Sequence, residues 1–234
     1  MRAPPDRHWL DVPFRDKDAA KARGARWDSA AKRWYDPDPP TSGLQQWAAL
    51  PAVPDVLPGE DRTFGSGLFV DLVPASCWFT NVRTCVLDRD WERLRRMITR
   101  RAGQRCEICE RTEDRESRRW LEAHERWFYD ATDPTARVQT LRRLICLCSD
   151  CHRATHFGFA EVTGHAAEAF VHLTEVTGMT DAQAHEHIEQ AVDRWEERSR
   201  HTWALDLRML TGAGITVQPP PDASVRQRIA DRET

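Results

Sequence analysis

The sequence predicts an α+β protein built from a small N-terminal mini-domain, a linker, and a larger metal-stapled core that continues into helices. Three observations predict it. The first forty or so residues alternate short strand-like and helix-like segments around Trp and Gly. Two Cys-x-x-Cys pairs, Cys106/Cys109 and Cys148/Cys151, enclose strand-like sequence such as LEAHERWFYD and VQTLRRLICLC. From about residue 158 to residue 200, apolar residues recur at intervals of three and four, the period of amphipathic helices. The expected division is residues 1–40 as the mini-domain, 41–67 as linker, 68–217 as the core with its helices, and 218–234 as a loose tail.

A chain of 234 residues can bury a sizeable core in one or two domains. With 40% apolar and 30% charged residues and ten Trp, most of it should be globular. No apolar run reaches the length of a bilayer span, and the opening MRAPPDRHW lacks the apolar stretch of a secretion signal. The expectation is a cytoplasmic protein with no membrane partner. There, seven cysteines read as metal ligands or buried thiols rather than disulfides. The net charge is -3, but from Arg89 to Arg153 there are 16 basic and 12 acidic side chains, against 7 and 13 from Ala154 onward. A basic middle suits an anionic partner such as nucleic acid, and equally suits ordinary solvated helix faces. No Gly-rich phosphate loop or nucleophile elbow is present, which argues against a nucleotide-driven motor or a serine hydrolase.

In chain order, Trp9 to Pro13 alternates as a strand, a short helix carries Asp18 to Lys21, and Gly24 stops it. RWDSAAKRWY reads as two aromatic-bearing strands around a turn. The Pro- and Gly-rich stretch that follows marks the linker, with a short helix near Leu44 to Leu50. LFVDLVP, from Leu68, reads as a strand. DRDWERLRRMITRRAG is a helix, with Asp88 as N-cap candidate, apolar Trp91, Leu94 and Ile98, and Gly103 as its stop. Arg93, Arg96 and Arg100 lie on its other face, available to phosphates or to solvent. TGHAAEAFVHLTEVTG and TDAQAHEHIEQAVDRWEERS are helices, the second capped by Thr180, and WALDLRML reads as a last strand.

The two cysteine pairs carry the strongest chemical signal. Zinc takes four soft ligands tetrahedrally, and a two-residue gap lets one tight turn place two thiolates on a single ion. Cys106, Cys109, Cys148 and Cys151 therefore read as a structural zinc site, with Cys146 or His152 as alternatives for one thiolate. His152 and His156 stand one helical turn apart, an arrangement that chelates metal. His124, on the strand before, is a third imidazole able to converge with them. An ion held by three imidazoles keeps positions open for water and phosphate oxygens.

The segments CEIC, LEAHE and RRLICLCSDCHRATH, spanning about Cys106 to His156, together resemble the HNH endonuclease family in its zinc-stapled beta-beta-alpha-metal form. The resemblance implies a DNA-cleaving hydrolase with a divalent ion (Mg, Mn or Zn) on His124, His152 and His156, above a structural zinc. Two positions depart from the family pattern. Glu125 stands where a second histidine normally acts as general base, and Arg143 where an asparagine is usual. An unperturbed Glu titrates near 4.3 and His near 6.5, so Glu125 is the weaker base at neutral pH unless burial raises it. Arg143, with Arg96, Arg100 and Arg153, is expected to contact phosphate. Three readings follow: an active nuclease with Glu125 as base, a metal site with another reaction, or a non-catalytic zinc module that binds nucleic acid or protein. The N-terminal unit, through Val12, Pro13, Lys17, Ala20, Lys21, Gly24, Ala25, Trp27, Trp34 and Tyr35, resembles a small module of unknown function found on plasmid primase-like and other DNA-processing proteins.

Cys77 and Cys85 are eight residues apart, a spacing no common metal knuckle uses, and read as buried thiols. Asn81 and Arg83 are weaker candidates for lining the site. His185 and His187 read as surface residues, and His165 and His172 as structural ones.

Overall fold

A computed structural model describes residues 7–39, 42–78 and 80–220. It is a mixed α/β structure with two three-stranded sheets and several helices. None of its described helices is long and apolar enough to cross a membrane.

The N-terminal unit contains strands β1 (His8–Leu10), β2 (Arg26–Asp28) and β3 (Arg33–Asp36), with helix α1 (Lys17–Ala22) between the first two. The sheet is antiparallel in the order β1-β3-β2, and Trp34 pairs with both Leu10 and Trp27. Gly24 leaves α1 at φ +95°, a left-handed conformation that favours glycine. Leu10, Val12, Ala20, Ala25, Leu44 and Trp47 form the unit's own core. Its packing therefore runs past residue 40, because Leu44 and Trp47 close the sheet's buried side. Only a single turn of 3-10 helix (Gln45–Trp47) forms where a short helix was expected.

The rest of the stretch read as linker is also docked. Val53 and Leu57 are buried in the larger core. Glu60 receives two 2.7 Å bonds from Arg101 and one from the Leu144 backbone N–H. Leu68 and Val70 are buried too, but no strand forms there. Val70 N–H donates to His187 Nε2 and Asp71 N–H to the Thr155 carbonyl, so the backbone bonds go to scattered partners rather than to a ladder.

The larger unit is organised by an antiparallel hairpin of β4 (Leu121–Asp130) and β5 (Val138–Cys148), with a bulge between Arg126 and Trp127. Helix α2 (Val82–Cys85) is capped by the Asn81 side chain, and α3 (Asp88–Arg101) buries Leu94, Met97 and Ile98. The capping residue of α3 is Leu87 rather than Asp88, which sits in the first turn and pairs with Arg15. β5 runs directly into α4 (Ser149–Thr155), followed by α5 (Phe157–Val162), α6 (Ala166–Thr177) and α7 (Asp181–Ser199). Thr180 and Gln183 form a reciprocal capping box on α7, and Gly178 closes α6 in the left-handed conformation. The expected last strand divides into β6 (Ala204–Asp206), parallel to β5, and α8 (Arg208–Thr211). Asp206 explains the break: its carboxylate accepts the Arg208 backbone N–H and turns the chain into the helix. Of the tail expected over 218–234, residues 221–234 lie outside the described residues. Gln218 N–H is bonded to the Cys85 carbonyl at 2.7 Å.

Candidate metal centres

The register of the hairpin sets up both clusters of candidate ligands. Leu121 pairs with Cys148, so the start of β4 lies beside the point where β5 becomes α4. Cys148 caps α4, its sulfur 3.5 Å from the Cys151 backbone nitrogen. The first cysteine pair occupies a tight turn in which Glu110 N–H donates to the Cys106 carbonyl and Glu107 N–H to the Cys146 carbonyl. Gln104 and Glu110 adopt positive φ there, the cost of folding the turn so sharply. The sulfurs of Cys106, Cys109, Cys148 and Cys151 lie within 4.8 Å of one another, with Cys109 and Cys148 3.5 Å apart. A tetrahedral zinc with Zn–S bonds of about 2.3 Å separates its sulfurs by roughly 3.8 Å, so this set could hold a zinc ion.

With four thiols so close, the titration of each depends on the others. Hydrogen bonds from Cys148 and Cys151 hold the Cys106 thiol far below the ordinary range, and their bonds to Cys106 push those two up. Cys146 lies outside the cluster and is pushed up to about 12, chiefly by burial. Cys77 and Cys85 are buried thiols, as their spacing suggested, and burial raises both.

His172 lies against the cluster. On α6 and 5% exposed, it places Nε2 3.1 Å from Cys151 Sγ and Nδ1 3.5 Å from Arg111 Nη1. A guanidinium only donates, so Nδ1 accepts and Nε2 carries the hydrogen toward the sulfur. No local spacing in the sequence announces this contact.

The second cluster joins His124 of β4, His152 of α4 and His156, the residue that ends α4. Ring centroids lie 5.2, 4.9 and 4.7 Å apart, and one nitrogen from each ring falls within 4.8 Å of the others. His124 is 4% exposed, and neither of its ring nitrogens has a hydrogen-bond partner among the described residues. A buried imidazole with both nitrogens unmet is unusual in a satisfied core and fits a metal ligand. Burial is the main reason all three are held neutral. His124 falls well below the usual imidazole range, His152 is lowered, and His156 falls to about 3. Neutral imidazole is the form that ligates.

Among the carboxylates, Glu122 reaches this cluster, with Oε2 3.2 Å from His152 Nδ1. Glu125 is placed differently. Strand residues alternate faces, and its Oε1 accepts the Val82 backbone N–H at the start of α2. Burial raises its carboxyl to about 7. Arg143 is 6% exposed and donates to Glu107 at 2.8 Å and to the Phe64 carbonyl at 3.3 Å, so it is held inside the protein.

The arginines of α3 differ from the expected phosphate-facing row. Arg96 pairs with Asp11 of the N-terminal unit, Arg100 with Asp55, and Arg93 with Asp90 and the Pro51 carbonyl. They fasten the N-terminal half to α3. Arg153, a third exposed and 3.7 Å from Asp150, remains near the surface. Asn81 is committed to capping α2, and Arg83 is exposed. His187 is not a free surface residue, since it accepts from Val70, whereas His185 is exposed and packs on Phe170.

Comparison with known proteins concerns the N-terminal unit. Residues 7–48 match a family model described as a domain of unknown function, DUF5710. A stretch of 35 residues is 54% identical to a DNA primase TraC of Escherichia coli, covering 15% of this chain and 3% of that one. A second DNA primase TraC of Escherichia coli is 38% identical over 55 residues, covering 23% of this chain and 4% of its own length. The chain thus aligns with only a few per cent of the length of these relatives. No solved structure matches it. The N-terminal unit therefore carries a DUF5710 domain with a short likeness to plasmid-type primases, as the residues of the module suggested.

Proposed function

We propose that the protein is an HNH-like, metal-dependent endonuclease that hydrolyses phosphodiester bonds in DNA, with a structural zinc on the four cysteines. The observation that carries this reading is the convergence of His124, His152 and His156 around one point, with both His124 nitrogens unmet. A divalent ion held there (Mg, Mn or Zn) would supply Lewis acidity and lower the pKa of a bound water. In the reaction, water oxygen forms a bond to phosphorus, one P–O ester bond breaks, and the leaving oxygen takes a proton. Within this reading, Glu122 fixes the ring of His152 by accepting from Nδ1, which leaves Nε2 to ligate. Glu122, rather than Glu125, is then the carboxylate that acts on the metal site, by holding His152 from its outer side. Arg153, next to His152 in the chain and a third exposed, is the arginine assigned to the DNA backbone in this reading.

The position of Glu125 favours a second reading, in which the same fold is a non-catalytic, zinc-held module that binds nucleic acid or a protein. The carboxylate that replaces the family's base is bonded to Val82 instead of facing the imidazoles.

Plasmid cleavage in the presence of manganese separates the two. The nuclease reading expects cleavage by the wild type, loss in His124→Ala, a strong fall in Glu122→Gln, and retention in Glu125→Gln. Activity that survives both His124→Ala and Glu122→Gln removes the assignment. A wild type that binds DNA and never cuts it establishes the second reading.

A further inference from the structure

Arg126 follows His124 by two positions on β4, before the bulge, so both side chains leave the strand on the same face. It is fully buried and among the largest side chains so placed. Its guanidinium lies 4.2 Å from the Phe69 ring, and Nη2 donates to the Gly67 carbonyl at 3.4 Å. Nε and Nη1 have no partner among the described residues. Asp71, the acidic group whose charge acts on it most, is hydrogen-bonded to Arg198 instead.

A guanidinium taken out of water without a counter-ion is costly, and proteins keep such a charge where something supplies the missing anion. The three-histidine cluster offers no anionic ligand of its own, since its donors are neutral rings. The charge of Arg126 already acts on all three rings, and a divalent ion there would add to it, set against Glu122 on the outer side of His152, Asp71, and the sulfurs of Cys106 and Cys151. Positive charge thus accumulates on one side of β4, which an incoming oxyanion would balance.

We propose that Arg126 and the three-histidine cluster together form an oxyanion subsite whose ligand is a phosphate group, the phosphate of a nucleic-acid backbone in the full reaction. The inference rests on the metal-dependent phosphodiesterase reading and names the residue that recognises the charged part of its substrate. Gly65 sits over the arginine stem, where an added Cβ would meet Arg126 Cδ at 3.1 Å, and Phe69 covers the guanidinium. The segment around residues 65–69 therefore holds the charge in place while Nε and Nη1 remain unspent.

The test uses the full chain, zinc-loaded at the cysteines, titrated with inorganic phosphate by calorimetry with and without manganese. The wild type is expected to bind phosphate only with manganese present, and Arg126→Met to bind at least about tenfold more weakly. Without phosphate, Arg126→Met should melt at the same temperature as the wild type or higher, because an unpaired buried charge has been removed. Should Arg126→Met not fold, Arg126→Gln keeps a donor for Gly67, removes the charge, and is read in the same way. Equal phosphate affinity in wild type and variant overturns the subsite, as does a wild type that binds no phosphate. Phosphate binding without plasmid cleavage would sink the hydrolase and leave the subsite standing. Cleavage with phosphate affinity indifferent to Arg126 does the reverse.

Discussion

Glu122 Oε2 lies 3.2 Å from His152 Nδ1, whereas Glu125, three residues further along the same strand, is bonded to the Val82 backbone. The two carboxylates therefore have separable roles. Glu122→Gln should lower the affinity of the histidine cluster for zinc or manganese by roughly 10- to 100-fold, the usual effect of losing a carboxylate behind a metal-bound imidazole. Glu125→Gln should leave that affinity unchanged. Competition against a chromogenic chelator reads both, and equal losses in the two variants would contradict the geometry.

Glu125 should instead report through pH. Its carboxyl rises from the ordinary 4.5 to about 7 in the folded protein, mainly through burial. The fold therefore keeps a proton that the unfolded chain releases, and stability contributed by the neutral carboxyl is lost as pH climbs from 4.5 to about 7. Glu125→Gln should match the wild type at pH 4.5 and exceed it progressively toward pH 7, by about 1–3 kcal/mol. The imidazoles shift stability in the opposite direction below their usual range, so the comparison is the difference between the two proteins. Parallel denaturation curves across this window would refute the assignment.

Asp11 is 2% exposed and bonded to Arg33, Arg96 and the Leu50 backbone N–H. Removing it leaves two guanidinium groups without their anion, so Asp11→Ala should destabilise by roughly 3–5 kcal/mol. Protease cleavage between residues 49 and 60 should speed up with it. Because Arg96 is spent on this contact, Arg96→Ala should leave the salt dependence of DNA binding unchanged. A phosphate-contacting arginine would lower the slope by about one. A fall of that size for Arg96→Ala would return this residue to the nucleic-acid surface.

His172 directs Nε2 at Cys151 Sγ from a helix 21 residues away. An N–H···S bond tempers the charge that four thiolates place on one zinc. His172→Ala should release zinc to a chelator about tenfold faster or more, and His172→Gln, which still offers an N–H, should recover much of the difference. Identical release in all three proteins would reduce His172 to packing.

Much of this was legible because it is encoded locally. The two-residue gaps between cysteines, the His152–His156 interval and the Thr180 capping box each fix geometry within a single turn of chain. They appear in the structure where the spacing put them. The choice between Glu122 and Glu125 was also open to reading. Period-two alternation from His124 places Glu122 and Arg126 on its own face, whereas Glu125 was singled out by its position in the family pattern. What the sequence concealed depends on distant partners. Arg96 meets an aspartate 85 positions earlier, and Val70 gives its N–H to a histidine 117 positions later. No local pattern distinguishes an arginine that faces solvent from one that anchors another module, or a strand from an extended segment whose bonds are scattered.

Metal content bears most directly on the idea that two separate ions are served by one hairpin and its helix. Elemental analysis of the purified chain after equilibration with zinc should find two ions per chain for the wild type. One should remain in His156→Ala with the fold intact by circular dichroism, and that one should be lost in Cys151→Ser. A single ion in the wild type, untouched by His156→Ala, would contradict the account and leave only the cysteine site.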